Sequence, residues 1–491
     1  MYWLLPPFFL LALAVGGILV PKLNLILSLV CREYYLKNAS KNPSMILPVL
    51  LGSDNPQCRT PEIQALATKF QLYTTIVTSI LSAVMSPKIG SFSDRYGRLN
   101  LLVITSLGGF CGEIVLIMAA KFPDTIHYNW LLLGSVFDGL CGSFTAGMAL
   151  THAYAADCTS PPQRAVAFGY FHACLFSGIA VGPLVAAALV KWSGSLIVPF
   201  YFTLGVHSCF MLFILFAVPE SLTKKRQETA REKYLIETGA FHHSTTDDPQ
   251  WLYALKRANI FEPLKVLFPT GPGTSNALRA NLILLSGVDT IIFGVAMGAM
   301  TVVVYYLGFM FGWDTADISV FTSLVNACRV SALVIVLPLL NYCIRTRRAN
   351  KQRRESGFAI RQPNSGSDGL DLAIIRSAVI FEIIGYGLYA IVRTGPLFAF
   401  AGVIASLGGV GSPTLQSALT KHVPHDKVGS LLGATGLLHA LARIACPLVF
   451  NLIYAGTVGT YPQAVFVVLS GCFFVAFVFS WFIRPHGMFP P

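Results

Sequence analysis

The sequence predicts an all-α membrane protein with twelve transmembrane helices in two pseudo-symmetric six-helix bundles. Three observations predict it. Of 491 residues, 54% are hydrophobic and only 12% are charged, and the mean hydropathy is +0.63. A soluble domain carries about 25% charged residues. Twelve stretches reach the roughly 20 apolar residues that a membrane-crossing helix needs. A polar centre, residues 218–280, separates six of them from the other six. This balance excludes a soluble enzyme, a nucleic-acid binder and a disordered chain.

The first span is expected at 4–30. Only Met1, Tyr2 and Trp3 precede it, with no basic flank, so it does not read as a cleaved signal peptide. A missing or misassigned start is expected instead. Residues 31–66 form the largest outer loop. The loop holds a glycosylation sequon, Asn38-Ala39-Ser40. It also places Cys31 and Cys58 on the oxidising side, where a disulfide between them is expected. Spans at 67–89, 99–120, 130–152, 165–191 and 197–217 complete an N-terminal unit of residues 1–217.

The cytoplasmic linker, 218–280, carries Lys224, Lys225 and Arg226, with His242–His243 read as solvated. The C-terminal unit, 281–491, holds spans at 281–306, 317–340, 372–392, 397–419, 429–455 and 462–483. Its basic loop, 341–371, contains the runs Arg345–Arg348 and Lys351–Arg354. With both termini in the cytoplasm, the inner segments hold about three times as many Lys and Arg as the outer ones. That bias explains most of the +12 net charge. Contact with anionic membrane lipid is secondary. A plasma membrane and a vacuolar or lysosomal membrane fit equally well.

Between the second and third spans stands Gly90-Ser91-Phe92-Ser93-Asp94-Arg95-Tyr96-Gly97-Arg98. Gly90 and Gly97 permit close helix approach and a tight turn. Asp94 suits a helix N-terminus, and Arg95 and Arg98 can pair with carboxylates. The run resembles the signature loop of the major facilitator superfamily, G-x-x-x-D-R-x-G-R. The resemblance implies that Asp94 and Arg98 brace the two halves on the cytoplasmic side. The segment Ala153–Arg164 resembles the loop after the fourth span in tetracycline-efflux-like members, which assigns the same role to Asp157 and Arg164.

Gly169, Gly178, Gly182 and Pro183 in the fifth span resemble the pattern of proton-antiporting drug exporters. Generic helix packing explains them as well. The outer loop around Cys31-Arg32-Glu33-Tyr34-Tyr35 resembles the proton-coupled folate transporter branch. The halves repeat weakly at an offset of 264, pairing Gly169 with Gly433 and Pro183 with Pro447. No second copy of the Asp94 motif is visible.

Ionisable residues inside spans are costly and are functional candidates by default. Asp138 and Glu113 reach similar depth, and Lys22 shares the outer half. Asp138 stands where relatives with R-x-x-Q-G carry Gln, and Ser135 replaces their Arg. Proton coupling through Asp138, with Glu113, is one reading. A structural Asp138 satisfied by Ser135 or Ser106 is the other. In the second half, Asp289 and Arg329 are expected to pair. His439 and Arg443 lie four apart on one helix face and could join Arg329 in a positive patch. His172 is a further cavity candidate, His207 a weaker one, and Glu382 is read as structural.

The sequence carries no metal-spaced Cys/His cluster, nucleotide-binding loop or nucleophile motif, so neither a cofactor nor enzymatic activity is expected. The expected function is secondary transport of a small organic solute, coupled to protons, by a monomer in the lipid bilayer. The fifth-span pattern favours export by antiport. The folate-transporter resemblance favours symport of an organic anion. A transport-inactive nutrient sensor is the alternative from another class, disfavoured by the short segment after the last span.

Overall fold

The computed structural model describes residues 1–39, 56–244, 262–270, 274–313, 315–347, 354 and 366–485. Ser40 of the sequon lies outside them, as does the side chain of Asn38; so do the side chains of His242 and His243 and most of the second basic run. Among the described residues, twelve helices are long and apolar enough to cross a membrane. We number them α1 (Tyr2–Lys37), α2 (Glu62–Tyr96), α3 (Arg98–Lys121), α4 (Tyr128–Cys158), α5 (Pro161–Ser193), α6 (Val198–Phe216), α7 (Asn276–Phe311), α8 (Asp317–Arg345), α9 (Gly369–Ile391), α10 (Gly395–Thr420), α11 (His425–Thr457) and α12 (Ala464–Phe482). A polar linker helix, Lys224–Ser244, lies between α6 and α7. The face bearing Asp94 and this helix is termed inner, after the expected topology.

Several helices outrun the hydrophobic stretches expected from sequence. The second, expected at 67–89, runs from Glu62 to Tyr96. Backbone hydrogen bonding continues through polar residues once a helix is nucleated, so hydropathy marks the membrane-buried part and not the helix ends.

Four spans are broken, each for a local reason. In α1, the helix is interrupted at Ile18, and Pro21 has no N–H to bond the preceding turn. In α4 the break comes at Cys141–Gly142, with Gly142 at φ 85° and Ser143 at φ 53°. Ser143 is the one non-glycine residue with positive φ among those described. The freed Gly142 carbonyl accepts a bond from Ser82 Oγ of α2 at 2.7 Å. In α8, a π-helical turn occupies Ala332–Val336. In α10, a 3-10 turn occupies Leu407–Val410.

The disulfide expected on the outer side is formed: Cys31 and Cys58 are joined across a separation of 27 residues. Nearby, Arg32 pairs with Asp124 and Tyr34 bonds Glu62. One apolar core runs through both bundles, including Phe168 and Phe171 of the first and Leu285 and Leu431 of the second.

The glycine pattern of α5 is a contact with α1. A Cβ on Gly178 would lie 2.3 Å from the Ala12 carbonyl oxygen, and one on Gly182 would lie 2.6 Å from the Gly17 nitrogen. Pro183 follows inside the same helix. Gly178→Val is therefore expected to force α1 and α5 apart and lower the thermal unfolding midpoint. Gly205→Val in α6, where nothing lies within 4 Å, should leave it nearly unchanged. Thermal unfolding of the two purified variants in detergent makes the comparison.

Candidate functional site

The inner ends of the two halves are clamped by a buried charge. Asp94, at the last turn of α2, accepts bonds from Gly429 N at 2.9 Å and Ser430 N at 2.8 Å. Ser430 Oγ adds a third at 2.8 Å. These amides belong to the first turn of α11, where free N–H groups and the helix dipole favour an anion. The approach is possible because a glycine meets a glycine: a Cβ on Gly90 would stand 2.3 Å from the Gly429 carbonyl oxygen.

Arg98, fully buried, holds Asp94 at 2.6 Å and Asp157 of α4 at 3.0 Å. Glu220, just after α6, accepts from the N–H groups of Arg98 and Leu99 at 3.1 Å each and so caps α3. Gly97 turns the chain between α2 and α3 at φ 98°. Arg164 crosses to the other half and donates to the Thr420 carbonyl at 3.2 Å. Arg95 takes no part in this lock. It donates to Ser91 and stacks on Tyr234 of the linker helix at 3.7 Å. The linker helix also reaches the second half, where Lys233 bonds Asp426 at 2.7 Å.

The second half carries a clamp that the sequence pattern hides. At the end of α8, Arg345 binds Asp368 at 2.5 Å and Asp371 at 2.7 Å. Asp371 also binds Lys421, just past α10, at 2.5 Å. Arg345 donates across the halves to the Pro162 carbonyl at 2.9 Å. These positions correspond to Asp94, Arg98 and Asp157 in the first half, with every sign reversed. A search for the same letters cannot find a repeat built from the opposite charges. The run beginning at Arg345, read from sequence as topological, thus contributes a structural residue.

Mid-membrane charges form two groups. In the outer half, Glu113 interacts electrostatically with Lys22 and Asp138, and Arg443 interacts with Asp138. Asp138 accepts a bond from Ser143 Oγ at 2.7 Å, across the break in α4. Of the expected partners, Ser106 bonds His207 at 2.9 Å instead, and no hydrogen bond joins Ser135 to Asp138 among the described residues. Buried Glu113 Oε2 has no hydrogen-bond partner.

In the second group, Asp289 of α7 pairs with His439 of α11 at 3.0 Å, and Phe293 stacks on His439 at 4.2 Å. The expected Asp289–Arg329 pair does not form. Arg329 instead faces Glu382 of α9 at 3.9 Å and Phe176 of α5 at 4.8 Å. Nor do Arg329, His439 and Arg443 make one positive patch. His439 and Arg443 share a face but sit one turn apart, roughly 6 Å, and a different carboxylate meets each. His172 Nδ1 donates to the Phe168 carbonyl, 3.1 Å away, and the ring stacks on His152 at 5.0 Å. His152, buried in α4, falls at the edge of its hydrophobic stretch, where a titratable residue looks like a span boundary. Gly169 packs against Leu337 of α8.

A cleft of about 270 Å³ lies between α1, α5 and α8, lined by residues including Phe9, Tyr170 and Val334. Its walls are apolar and hold none of the ionisable candidates. Among the described residues, no group of His, Cys, Asp and Glu could hold a metal ion. Buried carboxylates facing cations and imidazoles, on helices from both halves, suit proton transfer and binding of a polar solute.

The Major Facilitator Superfamily model matches residues 44–353. The chain belongs to that superfamily. It is 32% identical over 481 residues to the MFS-type transporter avaJ of Aspergillus versicolor, covering 97% of this chain and 88% of that protein. It is 22% identical to the proton-coupled folate transporter of Bos taurus, covering 84% and 78%. The class C tetracycline resistance protein of Escherichia coli is 24% identical, covering 81% and 83%. The human organic anion transporter MFSD10 superposes with a TM-score of 0.68 at 18% identity, covering 98% of each chain. The family and fold are those of multi-pass membrane transporters of small solutes.

The clamp has a testable pH behaviour. Burial raises the pKa of Asp368, but hydrogen bonds from Arg345 and the Asp371 amide, with the Arg345 and Lys421 charges, outweigh it and hold Asp368 at about 2. Its folded value is depressed, so its contribution is present above the ordinary value of 3.8 and is lost as pH falls through about 2. Acidifying the inner side from pH 7 to pH 5 should therefore leave this part of the clamp closed. Asp371→Asn should destabilise the protein by roughly 3–5 kcal/mol by stranding buried Arg345 and Lys421. Asp371→Asn with Lys421→Met should recover part of that loss. Chemical-denaturation midpoints of the three proteins give the comparison.

Proposed function

We propose that this protein is a proton-coupled secondary transporter of a small organic solute, working as a monomer by alternating access, with both termini in the cytoplasm. The observation that carries the reading is Asp94 seated on the N-terminus of α11. That bond joins the halves at their inner ends and must break for the inner side to open. Gly90, Asp94, Gly97, Arg98, Asp157 and Arg164 form the inner gate, and Arg95 anchors the linker helix beside it. Either a plasma membrane or a vacuolar or lysosomal membrane would accommodate this topology.

Asp138 is the proposed coupling group, with Glu113 as its neighbour. Its carboxylate accepts a proton on one side and releases it on the other. Arg443 and the Ser143 hydroxyl are its neighbours. The break in α4 next to Asp138 supports this role, because strained backbone concentrates at functional positions. Export by antiport is favoured by the α5 glycine and proline pattern, which packs this helix closely on α1. Symport of an organic anion is the second reading, favoured by Arg329 between the halves. The name of the folate-transporting relative agrees with it.

The test compares wild type with Asp138→Asn in cells held at external pH 5 and pH 7, with untargeted measurement of solutes inside and outside. A solute accumulated by wild type alone, more at pH 5, means symport; one lost to the medium by wild type alone means export. Gradient-driven movement that survives in Asp138→Asn overturns coupling through Asp138. No solute difference, with both proteins in the membrane, favours the sensor.

A further inference from the structure

The guanidinium of Arg329 is unusually placed for a half-buried cation. It lies near mid-depth of α8, 12 residues from Asp317 and 16 from Arg345, and its side chain keeps 19% exposure. Its five N–H donors could each form a bond. Among the described residues it makes no hydrogen bond, and its buried Nε is unpartnered. The nearest carboxylate oxygen, Glu382 Oε1, stands at 3.9 Å. Charge-assisted bonds close at about 2.7–2.9 Å. Glu382 therefore balances the charge without using the donors.

The surroundings are built to keep Arg329 in this position. A Cβ on Gly409 would lie 2.5 Å from Arg329 Cγ, and one on Gly408 would lie 2.4 Å from Glu382 Cγ. Both glycines belong to the 3-10 turn that breaks α10. The π-helical turn of α8 begins three residues after Arg329, and such turns recur at functional sites. Phe176 presents its ring face to the guanidinium from the other half. Two helices thus depart from regular geometry beside one cation whose donors are unfilled.

Among the described residues, the charged and titratable neighbours do not occupy the Arg329 donors. From α7 and α11, Asp289 and His439 satisfy each other. From α5, His172 is bonded to the Phe168 carbonyl. From α9 come Glu382 itself and the phenols Tyr386 and Tyr389. Donors that no protein group occupies remain free to bind an incoming ligand.

We propose that Arg329 anchors an anionic group of the carboxylate class on the transported solute, and that Glu382 is the counter-ion this group displaces. The inference rests on the transporter reading and names the substrate class of that same site. The planar fork of Arg329 can donate two parallel bonds to a carboxylate. Phe176 covers one face of the bound pair. Glu382 holds the charge in balance when the solute is absent and competes with it when the solute arrives.

The experiment uses the purified full-length protein in lipid nanodiscs and three probes of one size: benzoate, benzamide and benzamidine. The readout is the shift of the thermal unfolding midpoint with probe concentration. Benzoate should stabilise the wild type, and the neutral amide and the cationic amidine should not. Arg329→Gln should weaken the benzoate response at least about tenfold, or about 1.4 kcal/mol. Glu382→Gln should strengthen it, because the competing carboxylate is gone.

A purely structural ion pair predicts otherwise: both substitutions would weaken the response or neither would matter, and either result overturns the proposal. So does a wild type that ignores benzoate. If Arg329→Gln does not fold, the double variant Arg329→Gln with Glu382→Gln leaves no stranded charge, and a wild-type benzoate response in it overturns the site. If that also fails to fold, Glu382→Gln decides alone. Binding is read without transport. A failed benzoate response beside intact gradient-driven movement removes the anion site and leaves the transporter reading standing.

Discussion

The fold turns on a carboxylate that faces the wrong environment unless two half-molecules meet. Asp94 is buried, and a buried anion is tolerated only with full compensation. It receives that from Arg98 within its own half and from the first turn of α11 in the other. The opposing glycines exist because nothing larger lets the carboxylate reach those amides. Arg98 is in turn held by Asp157, and Glu220 caps the helix that Arg98 begins. A chain of dependencies thus runs from one side chain to four helices.

The second clamp obeys the same physics with inverted signs. Arg345 donates to a carbonyl near the start of α5, where Asp94 accepts amides at the start of α11. Asp371 sits between two cations, as Arg98 sits between two anions. Electrostatic complementarity is indifferent to which partner carries which sign, so the geometry of a repeat can persist where its letters do not. Together the clamps close the inner face at both junctions between halves, α2 with α11 and α5 with α8 and α10.

The membrane interior shows why ionisable residues there come as sets. Every mid-membrane carboxylate stands near a cation or imidazole: Glu113 near Lys22, Asp138 near Arg443, Asp289 on His439 and Glu382 facing Arg329. The sets differ in how tightly they are satisfied. Asp289–His439 is closed by a hydrogen bond, whereas Arg329–Glu382 is only balanced in charge. The Arg329–Glu382 set lies beside the helix irregularities of α8 and α10.

The sequence by itself determined the number of spans and the Asp94 loop. Each of these is written locally: a run of apolar side chains must leave water, and a loop motif is contiguous. It also placed Glu113, Asp138, Asp289, Arg329, Glu382 and His439 inside the bilayer. Only the tertiary structure decided who meets whom. Asp289 and Arg329 share a depth, yet helix rotation turns Asp289 toward α11 and Arg329 toward α9. Asp138 finds Ser143, and not Ser106 or Ser135, because the break in α4 lies between the two residues and brings the hydroxyl within reach of the carboxylate. Pairing depends on rotation, kinks and neighbours far apart in the chain, and no local pattern records those.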